Sequence, residues 1–127
     1  MKKTKAIRTA GFTLVEIMIV VAIIGLLAAI AIPNFVRARA TSQANACINN
    51  MRQIDAAANE WALEQGKASG ATAPTLTADL TPYIKLNVNN KIPGCPAGGT
   101  YTTYSVGATP QVKCSLGNSV NPGHFLP

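Results

Sequence analysis

The sequence is poor in the side chains that carry chemistry. One histidine, three cysteines, one tryptophan and five Asp and Glu occur among 127 residues, and charged side chains make up only 13% of them. Every acid precedes His124 by at least 45 positions, so there is no Ser-His-Asp order with supporting context. The three cysteines and His124 are four possible zinc ligands, yet no two have the close CxxC or HxxxH spacing of a structural site, which argues against a metal. GCPAGG lacks the lysine and the following helix of a phosphate-cradling loop. Neither an enzyme nor a cofactor is expected, and His124 reads as a surface or tail residue.

Acid is scarcest at the start of the chain. The net charge of +6 comes from 11 Lys and Arg against 5 Asp and Glu. Lys2, Lys3, Lys5 and Arg8 stand in the first eight positions, ahead of the first acid, Glu16. Without residues 1 to 11 the count is 7 basic against 5 acidic, a net of +2. So small a charge gives a weak field: Tyr101 and Tyr104 beside Lys113 could stack bases, but nucleic acid is only a lesser candidate partner. Apolar residues at 48% exclude a disordered polycation, and the length suits one small domain.

What the sequence does have is one long apolar run. Ile17 to Val36 reads IMIVVAIIGLLAAIAIPNFV, 20 residues without a charge. As a helix it would span about 30 Å, enough to cross a bilayer. Four positive charges precede it, which favours a cytoplasmic N-terminus. A secretory signal would end in a small-residue cleavage site, and AAIAIPNF offers only a weak one. Glu16 beside the run is the more telling feature, since a carboxylate tolerated next to a spanning stretch needs a partner.

Residues 11 to 35, GFTLVEIMIVVAIIGLLAAIAIPNF, closely resemble the N-terminal signature of type IV prepilins and type II secretion pseudopilins. The resemblance covers the short basic leader, the Gly11 to Phe12 junction, Glu16 and Pro33, about a fifth of the chain. It implies a cut between Gly11 and Phe12 by a prepilin peptidase and methyltransferase, followed by N-methylation of Phe12. It also implies a single-pass inner-membrane precursor with its head in the periplasm, an inner-membrane assembly platform, and then a periplasmic or cell-surface filament built from copies of the chain. Phe12 and Glu16 stand at i and i+4, so the new amine and the carboxylate can share one helix face. An amine from a neighbouring copy would then neutralise Glu16 and set the assembly register. Gly25 and Pro33 interrupt the run. Pro33 cannot bond the carbonyl of Ala29, and family filaments can lose helicity over the corresponding stretch.

Beyond Pro33 the run becomes amphipathic. Ala40, Ala44, Cys47, Met51, Ile54, Ala58 and Trp61 form one stripe at alternating spacings of 4 and 3, with Gln43, Asn50, Arg52, Asp55, Asn59 and Glu60 largely off it. The helix is expected from about Phe12 to about Gln65, capped by Gly66. Seven of the eight prolines and eight of the ten glycines lie at or after Gly66, so long helices end there. KASGATAPT reads as an exposed linker and TLTADLTPYIKL as a short helical turn burying Leu76, Leu80, Tyr83 and Ile84. TYTTYSV and QVKCS read as two antiparallel strands around a turn at Gly107 to Pro110. Phe125 and Leu126 are available to pin the irregular tail.

Cys95 and Cys114 flank that hairpin, and a disulfide closing their loop would stabilise the head by about 3 kcal/mol in the chain-entropy model. Cys47, on the apolar stripe, reads as a small buried thiol, with a pairing to Cys95 or Cys114 left open. The expected fold class is α+β: a long N-terminal helix packed on a small head with a short antiparallel hairpin and irregular loops. Its parts are a leader at 1–11, an apolar membrane or filament-core helix at 12–36, an amphipathic continuation at 37–66 and a disulfide-stapled head at 67–127. The function implied is a structural subunit of a type IV pilus. A type II secretion pseudopilin is the alternative, and a DNA-uptake pilus a lesser one. The head has only Asp79 as a side-chain carboxylate, and so lacks the acidic cluster that binds calcium in some major pseudopilins.

Overall fold

A computed structural model describes residues 11 to 126. The basic leader expected at 1–11 lies outside the described residues except for Gly11. The described elements are helix α1 (Leu14–Glu64), a 3₁₀ turn (Thr81–Tyr83), strand β1 (Tyr101–Thr103) and strand β2 (Val112–Cys114). The fold is α+β. Two compact units divide between Arg37 and Ala38.

Helix α1 starts two residues later than expected, because Thr13 caps it. The Thr13 hydroxyl accepts the N–H of Glu16 at 3.2 Å, and its carbonyl accepts that of Ile17 at 3.3 Å. Thr13 and Glu16 thus occupy the first and last positions of a T-x-x-E capping box, with the acid near the positive end of the helix dipole. The helix ends on a Schellman motif. Gly66 takes φ +61°, Gly66 N–H bonds Leu63 C=O at 3.3 Å, and Lys67 N–H bonds Ala62 C=O at 2.8 Å. No basic residue occupies the last turn. Lys67, just past the cap, sets its ammonium 5.9 Å from the centre of the Trp61 ring.

In the first unit the large apolar side chains from Phe12 to Val36 are exposed. Pro33 lies inside α1 without ending it. At Gly25 a side chain would meet nothing within 4 Å.

The core of the second unit is built from Cys47, Met51, Ile54, Ala57 and Ala58 of α1 against Leu80, Ile84, Cys95, Val112 and Cys114. The stripe read from the sequence is buried from Ala44 to Ala58, while Ala40 and Trp61 at its ends are half-buried. Ala57 and Ala62 are also buried, because the contact face is wider than one row of side chains. Asn50 departs from the expectation. It is half-buried, and its amide donates to Gly94 C=O at 3.0 Å and to the Tyr101 hydroxyl at 3.4 Å.

The two strands pair antiparallel, with Tyr101 opposite Cys114, Thr102 opposite Lys113 and Thr103 opposite Val112. Both are shorter than the sequence suggested. After Tyr104 N–H bonds Gln111 C=O at 2.8 Å, the chain turns away from β2 and Val106 takes other partners. Gly70 N–H donates to Val106 C=O at 2.8 Å, and Val106 N–H donates to Ala71 C=O at 3.1 Å. The segment after the helix is therefore not a free linker. It is tied to the hairpin by these bonds, by the Thr103 hydroxyl on Pro74 C=O at 2.6 Å, and by burial of Pro74.

Leu80 and Ile84 bury as expected, with Leu76 and Tyr83 partly covered. Glu64 near the end of α1 accepts the Tyr83 hydroxyl at 2.5 Å, which ties the 3₁₀ turn to the helix. Asp79 closes the preceding loop by accepting the N–H and the hydroxyl of Thr75, each at 2.7 Å. The backbone bond, with the hydroxyl second, holds its carboxyl below the usual aspartate range. A depressed folded pKa stabilises fully above the unfolded value of about 3.9 and is lost as pH falls through the folded one. Asp79→Asn is therefore expected to flatten the acid limb of a stability-against-pH curve. An unchanged limb would show that other groups set it.

Candidate functional site

Two places in the chain could carry function, one in each unit. The first is the start of α1. Gly11 and Phe12 stand outside the helix, Phe12 is 81% exposed, and a Cβ at Gly11 would meet nothing within 4 Å among the described residues. A bond in an exposed segment outside regular structure is open to a peptidase. Four residues on, Glu16 sits in the first helical turn with its backbone N–H on Thr13. Its carboxylate is followed by the apolar exposed length to Val36, a surface suited to lipid or to like helices.

The second place joins the four residues whose sequence spacing argued against a metal. Cys47 from α1, Cys95 from the loop before β1, Cys114 from β2 and His124 from the tail converge in the second unit, with their ligand atoms all within 4.8 Å of one another. All four are buried, Cys47 at 0% exposure and His124 at 2%. His124 is thus not a surface residue. Its N–H donates to Gly117 C=O at 2.7 Å, and its Nδ1 lies 3.3 Å from Cys95 Sγ. The tail is held by this buried ring, whereas Phe125 remains exposed.

Each ligand position has a local cause. Cys47 follows the helical stripe, and Cys114 is an inward position of β2, whose burial alternates. Cys95 starts a tight turn in which Gly98 N–H bonds Cys95 C=O at 3.0 Å and Gly98 takes φ +86°. Burial pushes the Cys95 thiol up. The backbone N–H groups of Ala97 and Gly99, with the neighbouring Cys47 and Cys114, outweigh that and hold it below the ordinary value. The Tyr101 hydroxyl donates to Cys47 Sγ at 3.5 Å and is itself held by Asn50. All three cysteines are free thiols. The Cys95–Cys114 disulfide read from the sequence is not shown, the three sulfurs being unbridged, and Cys47 lies in the same cluster as both.

The aromatic residues considered for base stacking are otherwise engaged. Lys113 lies over the Tyr104 ring, 4.8 Å from its centre, and Tyr101 turns its hydroxyl inward.

Residues 7–32 match the family model described as the prokaryotic N-terminal methylation motif. The chain is 47% identical over 62 residues to the type IV major pilin protein PilA of Myxococcus xanthus, covering 49% of this chain but only 28% of that protein. It is 38% identical over 107 residues to the type IV major fimbrial protein FimA of Dichelobacter nodosus, covering 81% of this chain and 67% of that one. It is also 30% identical over 105 residues to the type II secretion system core protein G of Escherichia coli K12, covering 76% and 72%. No solved structure matches the chain.

Proposed function

The chain belongs to the type IV pilin and type II secretion pseudopilin family, and from that premise we propose that this pilin-like filament subunit builds a type IV pilus. The alternative is a pseudopilus of a type II secretion system. The observation that carries the proposal is the start of α1, where an uncovered junction, a capped first turn holding Glu16 and an exposed apolar length follow one another. A membrane-anchored precursor accounts for the apolar length before assembly, and packing among copies accounts for it afterwards. Higher identity to fimbrial subunits than to core protein G supports the pilus. So does the head's single carboxylate side chain, Asp79, which is already bonded to Thr75.

In this proposal the head faces the periplasm, the peptidase cuts after Gly11, and Phe12 is methylated and supplies a positive amine. That amine stands at the positive end of the helix dipole, which disfavours it, so a nearby carboxylate stabilises it. Glu16 of a neighbouring copy meets that need only at one stagger, since any other leaves a charge unpaired in an apolar core.

Two observations test this. Glu16→Leu should insert in the membrane at the normal level while filament yield falls at least about tenfold; normal yield would remove Glu16 from the register. Deleting the gene should strip surface filaments from electron micrographs. If filaments persist and protein secretion stops instead, the pseudopilus alternative holds.

A further inference from the structure

We infer that Cys47, Cys95, Cys114 and His124 form a structural zinc site that ties the helix, the hairpin, the loop before it and the tail together. The donor set is three thiols and one imidazole, buried, with all ligand atoms inside 4.8 Å. Tetrahedral zinc with bonds of about 2.3 Å to sulfur and about 2.0 Å to nitrogen places its donors about 3.5–3.8 Å apart. Cys95 Sγ and His124 Nδ1, at 3.3 Å, already stand near that separation. The other members need shifts of only about an ångström, within reach of a change in χ1.

The chemistry of the set selects the metal. Soft thiolates in a tetrahedral S₃N arrangement suit zinc, and hard cations such as calcium and magnesium prefer oxygen. Four protein ligands with no open position make a site of structural type. A disulfide would use two of the sulfurs and leave a third thiol and an imidazole buried without a role, whereas zinc engages all four.

The surroundings fit as well. Three thiolates around one divalent ion leave a net charge of −1, which needs hydrogen-bond donors when buried. A donor is in place: the Tyr101 hydroxyl, held by Asn50, donates to Cys47 Sγ at 3.5 Å. Gly99 leaves room for the third sulfur, since a Cβ there would come within 2.6 Å of Cys114 Sγ. On binding, each thiol gives up its proton to solvent as its sulfur bonds the metal, and no electron is transferred. The loop, strand and tail have little regular structure of their own, so a four-way tie at this point acts on all of them.

The test uses the full chain, extracted from membranes in detergent without thiol reductant or chelator. About one zinc per chain is expected by elemental analysis, and cobalt(II) exchanged into the site should show the absorption of a tetrahedral thiolate complex. Cys114→Ser and His124→Ala should each retain less than about a tenth of the metal, and His124→Cys should keep it. Chelation should lower the melting midpoint of the unvaried chain, and zinc chloride should restore it. This arm decides the matter if the serine and alanine variants do not fold. A Cys95–Cys114 disulfide in non-reducing peptide maps, or folded chain without metal and indifferent to zinc chloride, would overturn the proposal.

Discussion

Met51→Ala is expected to lower the melting midpoint of the second unit by about 10–30 °C, from a loss of about 2–5 kcal/mol for truncating a buried methionine. Met51 is fully buried at the centre of the helix stripe, among the largest side chains in the molecule with no exposure. Its neighbours in the core include three alanines or small thiols on the same helix, and none of these can reach into the space it would vacate. The total stability of a domain this size is about 5–15 kcal/mol, so the loss is a large part of the whole. Trp61, the only tryptophan, packs partly against this core and reports on it by fluorescence, independently of the apolar half of α1 in detergent. Arg52→Ala, at the next and exposed position, is the control. A shift below about 4 °C in the Met51 variant would mean that the core does not depend on this side chain.

Gly11→Val is expected to abolish processing, lowering the rate of cleavage by on the order of a hundredfold or more. A Cβ at Gly11 meets nothing within 4 Å among the described residues, so the variant should fold and insert normally. Any loss then falls on the peptidase, which must approach the backbone closely at the scissile bond. Intact mass is the direct measurement. The uncut variant keeps residues 1–11, and with them four of the 11 basic side chains. Phe12 in that chain has no free amine to methylate. Normal cleavage of the variant would place the junction elsewhere.

The parts of this structure legible in the sequence are those set by neighbours along the chain. Ala44 to Ala58 repeat at helical spacing, and the cap at Gly66 needs only a residue that tolerates positive φ after a polar turn. The hairpin was legible at its centre, where Tyr101 to Thr103 alternate, but not in its length, because Val106 leaves β2 for Gly70 and Ala71. Asn50 looked like a solvent-facing residue, since only the fold brings Gly94 and Tyr101 to it. The thiol and imidazole cluster is the clearest case. Its members are separated by 48, 19 and 10 positions. Metal-ligand spacing rules apply when two ligands share one turn, and here each comes from a different segment. One local signal was present: CPAGG at 95 to 99 is a tight turn, closed by Gly98 N–H on Cys95 C=O at 3.0 Å.

The reach of that cluster along the chain also sets a schedule. At synthesis rates of about 5–20 residues per second, His124 is made roughly 4–15 s after Cys47. Through that interval the helix thiol is already made while the ring that will enclose it is not. Until the tail is made, the cluster that gathers Cys47, Cys95 and Cys114 lacks its fourth member.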